Sequence, residues 1–210
     1  MIIAVDGPVA AGKGTLARRI ADKYGFKYLD TGALYRAVGL SLLQKGQDPN
    51  AEDLAVEAAR NVADISLADP ELRLEHVGNA ASIVAANQGV RAALLDYQRE
   101  VAEHSPGAVL DGRDIGTVVC PAAEVKLFVT ASAEVRALRR FDELTAKGED
   151  VKLAQVLSDL KERDARDQGR ASAPLAKAED AHLLDTTKLD IEAALDAAYE
   201  IIEKHLPTKT

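Results

Sequence analysis

Apolar positions along the chain alternate between short β-branched runs and longer stretches with helical spacing. Residues 2–5 read Ile-Ile-Ala-Val and are ended by Gly7-Pro8, which predicts a buried parallel strand. From 13 to 23 the spacing is helical, with Leu16, Ile20 and Tyr24 on one side. A second short strand is expected near 27–29, ending at Asp30-Thr31-Gly32, with a helix from about Ala33. The stretch from about 51 to 103 reads as mainly helical, broken at Asp69-Pro70 and Asn87-Gln88-Gly89. Residues 108–110 and 125–130 are further strand candidates, and Ser132 fits the N-cap of the following helix. The polar stretch 147–170 is expected to be helical and exposed, 182–184 to be the last strand, and about 191–205 to be a closing helix. Such alternation predicts an α/β protein with a parallel sheet covered on both faces, and leaves strand order open.

A length of 210 residues suits one domain of moderate size with a small lid or insert. The hydrophobic fraction of 47% is ample for a core, while 4% aromatics and no Trp argue against a stacking platform for single strands. A formal net charge of -8 argues against a nucleic-acid partner, yet a few arginines can still make a local pocket for a small phosphorylated ligand. The single Cys120 excludes an intramolecular disulfide and reads as a small apolar residue rather than a nucleophile. His76, His104, His182 and His205 are scattered without metal-ligand spacing, so no metal site is assigned to protein ligands; His205 sits where a helix C-terminus favours it. With no basic, apolar leader and no run near the ~20 apolar residues of a membrane span, a cytoplasmic protein is expected. No long hydrophobic seam is present, so the default expectation is a monomer.

Gly7-Pro8-Val9-Ala10-Ala11-Gly12-Lys13 is the strongest local signal, because it follows a strand and opens a helix. Small residues let backbone N–H groups wrap phosphate oxygens, the helix N-terminus adds positive potential, and Lys13 reaches the β- and γ-phosphates. Gly14 occupies the usual Ser/Thr position and Thr15 follows it, so 7–15 is the expected ATP-binding loop. Thr187-Lys188-Leu189-Asp190 fits a guanine-reading pattern, but no switch segment accompanies it and Asp190 stands where an N-cap is expected.

Transfer between two nucleotides joins two polyanions, so the site should be rich in arginine. Three clusters answer to that: Thr31-Gly32-Ala33-Leu34-Tyr35-Arg36, Asp111-Gly112-Arg113-Asp114 after a strand end, and 163–170, where Arg163, Asp167 and Arg170 share a helical face. Two other readings compete. A kinase for a small hydroxyl metabolite would need Asp30, Asp111 or Asp114 as general base, and a nucleotide-dependent regulator would need a switch segment.

The segments DGPVAAGKGT, LDTGALYRAV, NAAS, VLDGRDIGTVV and RDARDQGRASAPL, in that order, resemble the cytidylate kinase family over nearly the whole chain. That resemblance implies a P-loop kinase fold with a five-stranded parallel sheet, an acceptor region of about 31–105 and a helical lid of about 147–170. It implies phosphorylation of CMP and dCMP with ATP and Mg²⁺. Lys13, Arg36, Arg113, Arg163 and Arg170 are the implied catalytic residues; Arg36, Arg113 and Arg170 resemble those holding phosphates. Thr31 stands near the acceptor, Ser82, Arg91 and Asp114 resemble readers of the cytosine edge, and Arg163 and Asp167 resemble lid residues near the sugar. Chemically, Asp114 can accept from the cytosine amino group, and Arg91 and Ser82 can donate to its acceptors. Many bacterial members carry a longer strand-containing insert; here 64–78 is expected to be a shortened, partly helical one.

Overall fold

The computed structural model describes residues 1–62 and 65–206, so the start of the expected short insert, Asp64, lies outside the described residues. All expected strands form: β1 (Ile2–Asp6), β2 (Lys27–Asp30), β3 (Ala108–Gly112), β4 (Val125–Thr130) and β5 (His182–Asp185). They pair in parallel in the order β2-β3-β1-β4-β5, which periodicity could not supply. β1 is central because Ile3, Ala4 and Val5 can be buried on both faces.

One face packs against α2 (Thr31–Gln44), α3 (Glu52–Arg60), α4 (Glu75–Val84) and α5 (Gln88–Ala102). The other packs against α1 (Lys13–Tyr24) and α8 (Ile191–Glu203), through Leu16, Ile20, Leu195 and Ile202. α6 (Ala133–Ala146) and α7 (Leu153–Gln168) form a hairpin with its own apolar cluster of Ala137, Leu144, Val156 and Leu160. This is the expected three-layer α/β arrangement with its polar strand ends on one rim.

Local chemistry sets the boundaries. Asp30 accepts from the Ala33 amide at 3.0 Å, so α2 starts at Thr31 rather than Ala33. Asn87 caps α5, Ser132 caps α6 and Asp190 caps α8. The cap reading of Asp190 therefore holds, with its carboxylate 2.8 Å from the Ala193 amide. β3 extends through Gly112, so Asp111 lies in the strand rather than after it. Between α3 and α4, the described residues of the insert include a 3₁₀ turn at Pro70–Arg73 and are partly helical, as expected.

Two expectations about 147–170 need correcting. The helix is shorter, Leu153–Gln168, and it is not simply exposed. Val156 and Leu160 are buried against α6, and burial of such side chains stabilises by about 1.5–3 kcal/mol each. Asp167 is 1% exposed, because its neighbours are charged partners instead of apolar ones.

Candidate active site

The site is built where β1 and β3 end. Gly7 has φ +149, and a Cβ there would lie 1.9 Å from the Val129 carbonyl oxygen, so only glycine lets the loop press against β4. Gly12, at φ 89, then opens α1. The buried Lys13 ammonium donates to the Pro8 carbonyl at 2.8 Å. Burial, followed by repulsion from Arg113, pushes its pKa down to about 7.

Carboxylates brace the opposite wall. Asp6 accepts from the Ile115 and Gly116 amides at 2.8 and 2.7 Å, tying β1 to the π-helical turn Ile115–Val119 behind Arg113 and Asp114. Burial raises Asp6 to about 6 despite those bonds. Asp111 is likewise raised to about 6, by burial and then by Asp30. Tyr28 donates to Asp111 Oδ2 at 2.8 Å, and burial pushes that phenol well above its ordinary value. Thr31 Oγ1 donates to the Asp111 carbonyl at 2.7 Å, and Arg36 pairs with Asp30 at 2.7 Å.

Across the cavity, Arg91 of α5 and Asp114 form a buried ion pair, with Arg91 Cζ 5.7 Å from the Tyr35 ring centroid. Burial raises Asp114, more than Arg91 lowers it. Asp167 of α7 accepts from Ser82 Oγ at 3.0 Å, from Arg113 Nε at 2.9 Å and from Arg170 Nη2. Burial opposes its ionisation, but Arg113, Arg170 and Arg163 outweigh that and hold its pKa below the ordinary value. Burial and Arg113 push Arg163 down to about 10. The Nε groups of Arg36, Arg163 and Arg170 and Nη1 of Arg91 are buried without a hydrogen-bond partner among the described residues. Buried donors of this kind call for an acceptor, and phosphate oxygens supply many.

A single cavity of about 460 Å³ gathers these groups. Every acceptor-side residue expected from the sequence lines it, together with Val9, Ala10, Lys13, Gly14 and Thr15 of the loop; Gly7, Pro8, Ala11 and Gly12 form the loop behind them. Sequence reasoning gave no role to Asp6, Tyr28 or Arg140. Arg140, on α6, lines the cavity while bound to Glu75 (Nε–Oε2 3.0 Å) and Glu143. Its signal, three arginines within Arg136-Ala137-Leu138-Arg139-Arg140, does not say which one turns inward.

Other residues fall outside the site. Cys120 is buried, and burial raises its thiol to about 11, which fits packing. His205 Nδ1 meets the Ile201 carbonyl at 2.9 Å, at the end of α8. Among the described residues no cluster of His, Cys, Asp and Glu is arranged to hold a metal by itself. No helix among them is long and apolar enough to cross a membrane.

In solved structures, an uncharacterized protein from Eubacterium ventriosum has a similar fold, with TM-score 0.58, 14% identity, and 97% and 98% of the two chains covered. Much nearer in sequence is a cytidylate kinase from Rhodospirillum rubrum, 58% identical over 100% of both chains. Another, from Xanthobacter autotrophicus, is 59% identical over 97% of each. Coverage that complete leaves no room for a long insert in these relatives that this chain lacks. The family model for cytidylate kinase matches residues 3–204, and the chain belongs to the cytidylate kinase family.

Proposed function

We propose that this chain transfers the γ-phosphoryl group of ATP directly to CMP or dCMP, giving ADP and the pyrimidine diphosphate. The observation that carries the reading is the cavity's polarity. The loop lysine, the buried Arg91–Asp114 pair and arginines whose buried donors have no partner among the described residues all line the cavity. Family membership supports the same assignment.

In this reading the loop 7–15 wraps the donor phosphates, and Lys13 meets the β- and γ-oxygens. A polyanion restores the charge of Lys13, whose pKa is depressed by burial and Arg113. Arg36, Arg113 and Arg170 hold the acceptor and transferring phosphates, with Thr31 beside them. An acceptor that is already an anion needs no strong general base, so positioning and charge stabilisation do the catalytic work. Asp114 accepts from the cytosine amino group, while Arg91 and Ser82 donate to its O2 and N3 edge. Arg163 and Asp167 approach the sugar. The Asp111 carboxylate, beside the Tyr28 hydroxyl and in front of Gly14, offers hard oxygen donors that fit Mg²⁺. When bound, Mg²⁺ neutralises charge on the β- and γ-oxygens.

The proposed organisation is one domain, acting as a cytoplasmic monomer without nucleic acid. Residues of about 31–105 take the acceptor, and about 147–170 form a lid that excludes water during transfer. A coupled ADP-release assay with CMP, dCMP, UMP, AMP and shikimate tests the assignment. CMP and dCMP should give by far the highest kcat/KM. Equal turnover with shikimate would favour a hydroxyl acceptor and an aspartate base, and nucleotide binding without turnover would favour a regulator.

A further inference from the structure

P-loop sites commonly hold Mg²⁺ with a Ser or Thr hydroxyl directly after the loop lysine, beside an aspartate at a neighbouring strand end. Here that position is Gly14, which has no hydroxyl. The aspartate is present: Asp111 sits at the end of β3, next to β1. A Cβ built on Gly14 would lie 3.4 Å from Asp111 Oδ2 and 3.7 Å from the Tyr28 hydroxyl oxygen. Both are ordinary contacts, so the space a serine side chain would enter is bordered by a hydroxyl from β2.

We propose that the Tyr28 hydroxyl replaces the absent P-loop hydroxyl and, with Asp111, orients the Mg²⁺ that accompanies ATP. The inference rests on the reading that the cavity takes Mg·ATP. A hydroxyl that serves a metal must give its proton to an acceptor and keep a lone pair for the cation or its water. Tyr28 donates to Asp111 Oδ2 at 2.8 Å and lines the cavity. Its ring is held from outside by Arg18, whose Cζ is 5.3 Å from the ring centroid, and its backbone is fixed in β2 opposite Val109. Thr15, the next hydroxyl along the chain, also borders the cavity from α1, but Tyr28 is the hydroxyl bonded to Asp111 Oδ2. Tyr28 is thus a positioning residue for the metal, not a participant in phosphoryl transfer.

The test measures metal binding rather than turnover. ATP affinity is determined by calorimetry without divalent metal, and Mn²⁺ affinity of the ATP complex by electron paramagnetic resonance. Melting curves check that each variant is folded. Tyr28→Phe should leave metal-free ATP binding unchanged and weaken Mn²⁺ about tenfold. Adding Gly14→Ser to it should restore most of the loss. Wild-type Mn²⁺ affinity in Tyr28→Phe overturns the proposal. So does a loss that vanishes at pH 8.5, because Tyr28 would then only help to keep Asp111 ionised. If the wild type binds no ATP at all, the nucleotide reading itself fails and takes this inference with it.

Discussion

Asp167 Oδ2 accepts a hydrogen bond from Arg113 Nε at 2.9 Å, joining helix α7 to the end of β3 across 54 positions of sequence. Oδ1 of the same carboxylate serves Ser82 and Arg170. One carboxylate therefore holds Ser82 and two arginines of the proposed phosphate site in a single network. An acceptor phosphate entering the cavity would share those arginines with Asp167.

Replacing Asp167 by Asn should therefore destabilise the nucleotide-free protein, since it leaves Arg113, Arg163 and Arg170 buried and mutually repelling. Breaking a buried pair on one side costs about 3–5 kcal/mol. Tm should fall by roughly 6–20 °C for a chain of this size. Inorganic phosphate should recover part of the loss by supplying the missing negative charge. A Tm unchanged from wild type would mean that the arginines reach water.

Asp114→Ala should separate acceptor recognition from donor binding. It leaves Arg91 buried without its partner and removes the proposed acceptor for the cytosine amino group. CMP kcat/KM should drop about a hundredfold, as expected for one unpaired buried charge-assisted bond, while ATP affinity stays within about twofold. Steady-state kinetics with calorimetry would show it. Equal losses in both would point to misfolding instead.

The strands were legible because β-branched runs buried on both faces leave a continuous apolar signature, as in Ile3, Ala4 and Val5. Their order was not, since it depends on pairing between segments about a hundred residues apart, such as Ile2 with Ala108. The arginine clusters could be read because each lies in one short segment. Asp6, Tyr28 and Arg140 were missed because their partners, Gly116, Asp111 and Glu75, lie far away in the chain. Helix α7 misled for a related reason: only Val156 and Leu160 mark its apolar side, and its third buried residue, Asp167, is charged, so the segment reads as solvent-facing.

Stability of the nucleotide-free protein should pass through a dip near neutral pH. Burial raises Asp6 and Asp111 to about 6 in the folded state, above the ordinary 3.8 of an aspartate, so the folded state binds more protons between those limits. Stability then falls as pH rises from about 4 to about 6. Lys13 has a folded value near 7, below 10.5, so the unfolded state binds more protons above pH 7 and stability rises again toward pH 10. Urea midpoints at pH 4.5, 6.5 and 9 should be lowest at 6.5. Asp6→Asn should remove about one proton from the slope below pH 6. Carboxylates with lowered values, such as Asp167, act only below the ordinary carboxylate range and leave this window untouched.

Gly7→Ala should abolish nucleotide binding more completely than a charge substitution at Lys13. The backbone at φ +149 disfavours any side chain, and the added Cβ would stand 1.9 Å from the Val129 carbonyl oxygen. That oxygen belongs to a backbone fixed by pairing with β5, so it cannot swing aside as a side-chain end could. The loop must lift away from β4, which would move the N–H groups of 9–13 away from a bound phosphate as a unit. Lys13→Met keeps the backbone cradle and loses one charge, so ATP affinity should fall about tenfold to a hundredfold. Gly7→Ala should lose detectable ATP binding while the packing of α3 on α5, on the other face of the sheet from α1, stays intact. Calorimetry together with amide hydrogen exchange over 7–15, 52–60 and 88–102 separates the two variants. Near wild-type ATP affinity in Gly7→Ala would show that β4 yields, and would remove the argument that this glycine is required by close approach.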